Sequence, residues 1–138
     1  MKVGFACGVF DLFHAGHVFM LQECKEHCDH LIVGLNSAIE FDPLINPNKK
    51  QPVYNLFHRK TILESCKYVD QVIVYNNETE LESILKTSDI AIRFLGEDYR
   101  GKQITAQDSV AEIYYTNRDH GLSTSHYRTL IENKLSEK

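Results

Sequence analysis

The run Lys2-Val3-Gly4-Phe5-Ala6-Cys7-Gly8-Val9-Phe10-Asp11-Leu12-Phe13-His14-Ala15-Gly16-His17 decides the fold. Lys2 to Cys7 is short, apolar and followed by glycine, which predicts a buried parallel strand. From Ala15 the apolar period changes, and Val18, Leu21, Cys24 and Cys28 recur at helical spacing. The helix N-terminus therefore follows directly on the carboxyl end of the strand. Its free N–H groups and partial positive charge suit an anion. His14 and His17, three apart, share one face there, and Gly16 leaves room for close approach of a ligand. Two such histidines alone are what an ordinary surface shows. The strand before them, the glycine between them and the helix after them make the phosphate reading the more specific one.

The same grammar repeats outward from this run. Leu31 to Leu35 is a second buried strand, and Asn55 to Lys67 a helix with Leu56, Leu63 and Cys66 on one face. Gln71 to Tyr75 is a third strand. Asn77 caps the next helix through Glu80, with Leu81, Ile84 and Leu85 behind it. Ile90 to Leu95 is a fourth strand and Glu112 to Tyr115 a fifth. Ser123 caps a last helix that turns Tyr127, Leu130, Ile131 and Leu135 inward. Between Asn36 and about Tyr54, three prolines (Pro43, Pro47, Pro52) rule out a regular helix and leave a long loop carrying Lys49 and Lys50. Strands alternating with helices predict an α/β fold, a Rossmann-like open parallel five-stranded sheet with helices on both faces. Residues 1–138 are read as a single domain, in keeping with the chain length. Ligands of such sheets bind at the carboxyl ends of the strands. The segments Gly8 to His17, Gly96 to Lys102 and Arg118 to Ser125 all fall at such ends.

Composition narrows the function. The net charge of −4 argues against nonspecific nucleic-acid binding, which needs a broad basic surface. It leaves open an anionic small ligand held by a few local cations. No stretch is long and apolar enough to span a bilayer, and the N-terminal run lacks the features of a signal peptide. Cys7, Cys24, Cys28 and Cys66 fall inside apparent strands and helices, so they are read as reduced and the compartment as cytoplasmic. Cys24, His27, Cys28 and His30 carry metal-ligand chemistry. Structural zinc sites favour tight turns with shorter cysteine spacing, so these cysteines are read as core residues and no metal site is expected.

A second chemical signal is Arg118-Asp119-His120-Gly121-Leu122-Ser123-Thr124-Ser125. Three hydroxyls open the last helix. Simple capping explains Ser123, but hydroxyls beside an arginine also suit phosphate oxygens.

These segments together resemble the cytidylyltransferase family. Its members carry Gly-x-Phe-Asp-x-x-His-x-Gly-His after the first strand, matched at Gly8 to His17. Arg118 to Ser125 resembles their Arg-Thr-x-Gly-Ile-Ser-Thr-Thr motif. Gly96-Glu97-Asp98-Tyr99 resembles their Gly-Asp-Asp-Trp, and Lys67-Tyr68-Val69-Asp70 their Arg-Tyr-Val-Asp. There are departures: Val9 stands where glycerol-phosphate members usually have threonine, Lys67 replaces arginine and Tyr99 replaces tryptophan. They bear on the acceptor more than on the reaction.

The resemblance implies a nucleotidyltransferase that moves CMP from CTP to a small phosphomonoester by in-line attack on the α-phosphate. It puts His14 and His17 on the α- and β-phosphates. Lys49 or Lys50, Lys67 and Arg118 would neutralise the acceptor phosphate and the triphosphate. Ser123 and Thr124 would hold the outer phosphates. It sets Gly8, Val9, Phe10, Asp11, Gly16, Gly96, Glu97, Asp98, Tyr99, Gly121 and Leu122 around the nucleotide, and Asp11, Arg59 and Lys67 around the acceptor. Mg²⁺ would accompany the triphosphate, and the chain would form a homodimer. His58 and His120 are read as structural or solvent-exposed. The rival readings are an adenylyltransferase using ATP and a nucleotide-binding regulator without turnover.

Overall fold

The computed structural model describes residues 1–107, 109, 112–117 and 120–137. Five strands form one sheet: β1 (Val3–Gly8), β2 (His30–Asn36), β3 (Gln71–Tyr75), β4 (Ile92–Gly96) and β5 (Glu112–Thr116). All pairings are parallel and the order is β3-β2-β1-β4-β5. The helices are α1 (Ala15–Glu26), α2 (Leu56–Glu64), α3 (Glu78–Thr87) and α4 (Thr124–Ser136). The central strands are apolar because both of their faces are covered: Leu31 to Leu35 are buried in succession.

Two cores result. Leu21 and Cys24 of α1 and Leu63 of α2 pack with Ala6, Val33, Ile92 and Phe94 on one face of the sheet. Leu81 and Leu85 of α3 pack with Phe5, Ile32 and Tyr75 on the other. The chain runs from β1 to β2 in one direction and from β4 to β5 in the other. The crevice outside the carboxyl ends of β1 and β4 is therefore the topological switch point.

The expected caps form. Asn55, Asn77 and Ser123 accept from the backbone N–H of His58, Glu80 and His126. The expectation for the last helix is corrected in one respect: Leu130, Ile131 and Leu135 are exposed, not inward. Helix α4 follows the edge strand, and its side-chain hydrogen bonds and ring contacts to the rest of the described fold come from its first turns, where Tyr127 lies 4.9 Å from the His14 ring. Its apolar stripe has no layer beneath it.

Candidate active site

The turn between β1 and α1 carries its own strain. Phe10 and Leu12 both adopt positive φ, at 52° and 49°, which costs a non-glycine residue roughly 1–3 kcal/mol each. Asp11, between them, holds the turn. Its carboxylate is buried and accepts from Val53 N (2.7 Å), Tyr54 N (2.9 Å) and Arg128 Nη2 (2.8 Å). Its carbonyl accepts from Thr124 Oγ1. Burial acts to raise the Asp11 pKa, but the N–H groups of Tyr54 and Val53, together with Arg128, outweigh it and hold the carboxyl below its ordinary value. Asp11 thus ties the turn, the end of the long loop and α4 together.

Arg59 is likewise turned to the backbone and not to an acceptor. It is 2% exposed and donates to the carbonyls of Tyr54, Val9, Asn36 and Ser37. These bonds clamp both ends of the long loop to the carboxyl end of β1.

The two histidines at the start of α1 are locked by hydrogen bonds. His14 caps the helix, its Nδ1 accepting from Gly16 N at 3.0 Å, while His17 Nδ1 accepts from His14 N at 3.1 Å. An accepting ring nitrogen carries no proton, so in the neutral rings the proton sits on Nε2. The ring centroids are 3.9 Å apart, and Phe13 stacks on His17 at 5.2 Å. His14 Nε2 is buried without a hydrogen-bond partner. Burial, then the neighbouring His120 and His126, hold the His14 pKa below its ordinary value, so the ring is neutral at pH 7.

Protein packs closely on one side of Gly16. A Cβ there would lie 2.8 Å from His14 Cε1 and 3.0 Å from Leu122 Cβ. Glycine therefore lets the imidazole and the start of α4 close on each other.

A cavity of about 190 Å³ lies where the N-termini of α1 and α4 converge, lined by His14, Gly16, His17, Met20, Thr116, Asn117, His120, Leu122, Ser123 and Thr124. No carboxylate is among these. His120, read from sequence as structural or solvent-exposed, lines the cavity, and its Nδ1 accepts from Leu122 N, which leaves an Nε2–H donor. Gly121 before it takes a φ of 67°, a left-handed turn that glycine adopts without strain. Ser123 Oγ accepts from His126 N and keeps its own proton to donate. Thr124 has already given its proton to the Asp11 carbonyl.

A second basin, about 350 Å³, lies beside the first and shares His17, Met20 and Thr124 with it. Lys50, Asp11, Phe41, Pro52 and Arg128 also line it. Lys50 therefore reaches the site, whereas Lys49 sits over the Phe41 ring at 4.6 Å. Arg128 was missed from sequence; its signal is a cation one helical turn after Thr124. A third basin, about 550 Å³, takes in Gly8, Val9, Gly96, Tyr99 and Thr116. Glu97 is turned outward to pair with Arg100.

Lys67 is not brought to the cleft. It lies in the turn from α2 to β3, at the amino ends of the strands, with Nζ over the Tyr68 ring. Asp70 of the same segment accepts from Leu31 N and Lys25 Nζ, a structural role at the start of β2. Arg118, and Asp119 beside it, lie outside the described residues. Among the described residues no group of three or more potential metal ligands gathers. No described helix is long and apolar enough to cross a membrane.

Comparison with known proteins agrees with this geometry. The family model described as cytidylyltransferase-like matches residues 5–130. Glycerol-3-phosphate cytidylyltransferase of Bacillus subtilis is 35% identical over 91% of this chain and 93% of its own length. The bifunctional protein HldE of Caulobacter vibrioides is 38% identical over 80% of this chain. The chain spans only 22% of that relative's length. Among solved structures, the lipopolysaccharide core biosynthesis protein of Thermoplasma volcanium GSS1 superposes with a TM-score of 0.68 at 25% identity, over 86% of this chain and 99% of that one.

Proposed function

The chain belongs to the cytidylyltransferase-like family, and from that premise we propose that it transfers CMP from CTP to a small phosphomonoester such as glycerol 3-phosphate or a similar polyol, sugar or amino-alcohol phosphate. One observation carries the reading. Two helix N-termini and the Nε2–H groups of histidines converge on a cavity whose described lining residues include no carboxylate. That is a cradle for a polyanion.

The triphosphate takes the cavity between α1 and α4, and the acceptor phosphate takes the basin of Lys50 and Arg128. His17 borders both, so the α-phosphorus belongs beside it. The acceptor needs no general base, because a phosphomonoester has a second pKa of about 6 and is already largely dianionic. Its oxygen lone pair forms the new bond to the α-phosphorus. The bond from that phosphorus to the bridging oxygen breaks, and its electron pair leaves with pyrophosphate. His14 and His17 donate hydrogen bonds to the charge that gathers on these oxygens, while Ser123 and the free N–H groups of α4 hold the outer phosphates. Arg118 adds its charge to the triphosphate, and the Gly96 to Tyr99 segment borders the nucleoside. Mg²⁺ would accompany the triphosphate and offset its charge, and the hydroxyl and N–H groups that line the cavity would leave its coordination to phosphate oxygens and water.

A homodimer belongs to the same reading, supported by the exposed apolar face of α4, and so does a cytoplasmic location, supported by four free cysteines. Pyrophosphate release is measured with each of four nucleoside triphosphates against a panel of phosphomonoesters. Release with CTP that falls ~100-fold in His14→Ala and His17→Ala supports the reading. Release with ATP alone favours adenylyl transfer, and CTP binding without release favours a regulator.

A further inference from the structure

Arg93 is the one charged residue in the otherwise apolar run Ile90-Ala91-Ile92-Arg93-Phe94-Leu95. Strand alternation sends Ile92 and Phe94 into the core beneath α1, so Arg93 takes the opposite face, where Phe5 and Cys7 lie. There it is 4% exposed and lines the basin of about 550 Å³. Its guanidinium donates from Nη1 to the Thr105 carbonyl and lies against Cys7 Sγ, while Nε is buried without a partner. Among the described residues no carboxylate comes within ion-pair reach of it. Glu78, the acidic side chain of this basin, is exposed and accepts from Thr105 Oγ1. A guanidinium buried in this way is costly unless an anion meets it.

Cys7, Gly8 and Val9 line both this basin and the one that holds Lys50 and Arg128. A small acceptor with its phosphate beside Lys50 therefore extends along the carboxyl end of β1 toward Arg93. We propose that Arg93 selects the acceptor, and that the preferred acceptor is a small phosphomonoester whose far end bears a carboxylate. This rests on the reaction proposed above. The guanidinium fork suits a carboxylate, and a hydroxyl at the same place gains only a neutral hydrogen bond. The nucleoside keeps the other side of the basin, at Gly96, Tyr99 and Thr116.

The test compares 3-phosphoglycerate with glycerol 3-phosphate, which differ only in carboxylate against hydroxymethyl at the far end. Binding of each to the full chain is measured by calorimetry, and kcat/KM with CTP is measured in parallel. The wild-type protein is expected to favour 3-phosphoglycerate by roughly tenfold or more, as a charge-assisted bond gives. Arg93→Met removes the charge at similar volume and is expected to abolish that preference without changing the KM for CTP. Arg93→Lys, which keeps the charge without the fork, is expected to retain part of it. Equal use of the two acceptors by the wild-type protein overturns the proposal, as does a preference that survives in Arg93→Met. An increase in KM for CTP that is the same with both acceptors also overturns it, because Arg93 then serves the nucleotide. Turnover only with acceptors whose far end is uncharged leaves cytidylyl transfer standing while this inference fails. Absence of all turnover, with the binding preference intact, does the reverse.

Discussion

Replacing Asp11 with asparagine is expected to be among the most damaging single changes at the site, through stability and not through chemistry. The carboxylate accepts three charge-assisted hydrogen bonds, two from the loop backbone and one from Arg128. Each such bond contributes roughly 1.5–3 kcal/mol. Asparagine with its carbonyl oxygen at the Oδ2 position keeps the bonds from Val53 N and Arg128 Nη2 without their charge assistance and turns its NH₂ group toward Tyr54 N, so one of the three is lost and two are weakened. The Arg128 side chain is 29% exposed, which sets its share at the low end. The expected loss is about 2–4 kcal/mol, a substantial part of the roughly 5–15 kcal/mol that a domain holds. At this chain length it lowers Tm by about 6–12 °C. Urea unfolding of wild type, Asp11→Asn, Arg128→Met and the double variant measures it, and the cycle isolates the Asp11–Arg128 coupling. The acid limb gives a second readout. Because the folded pKa of Asp11 is depressed, its stabilisation is present above the ordinary value of 3.8 and is lost as pH falls through the folded value. Asp11→Asn should flatten that slope. A variant within about 1 kcal/mol of wild type at unchanged m-value would refute the account of Asp11 as the tie between loop, turn and α4.

Gly16→Ala is expected to lower turnover while the fold survives, because the added methyl displaces the His14 ring or the start of α4; wild-type kcat in this variant counts against the packing. The His14 imidazole is expected to titrate below 6.5 by NMR, and His120→Gln should raise its midpoint; a midpoint above 6.5 in the wild-type protein contradicts the burial argument. Amide exchange should show ligand-dependent protection across residues 42–52 but little change at Val53 and Tyr54, already bonded to Asp11. Lys50→Ala should weaken acceptor use more than Lys49→Ala, and equal protection in both states with both variants fully active returns the pair to solvated surface. Sedimentation at micromolar concentration is expected to show a dimer that Ile131→Glu weakens, and a wild-type monomer rejects it.

Much of the fold was legible in the sequence because it is local. Apolar runs of strand length, helical spacing in between, and Asn55, Asn77 and Ser123 at the helix starts each act within a few residues. The residue types at His14, Gly16 and His17 likewise pointed to a helix N-terminus suited to an anion. What the sequence could not supply was the partner of each polar side chain, since those partners are distant in the chain. Arg59 and Asp11 look like ligand-binding residues, yet one holds carbonyls from 22, 23 and 50 positions away, and the other meets Arg128 at a separation of 117. Lys67 sits in a recognisable segment, but a helix-to-strand turn of a parallel sheet lies at the amino end, opposite the cleft. Arg93 was an odd charge in a strand until packing put it in a cavity with no counter-ion among the described residues. Sequence by itself determined which elements form and where the proposed phosphate cradle begins, because backbone geometry and capping are short-range. Only the tertiary structure decided which charges hold the fold and which remain for a ligand, because a charge's role is set by whatever the fold brings within hydrogen-bond reach.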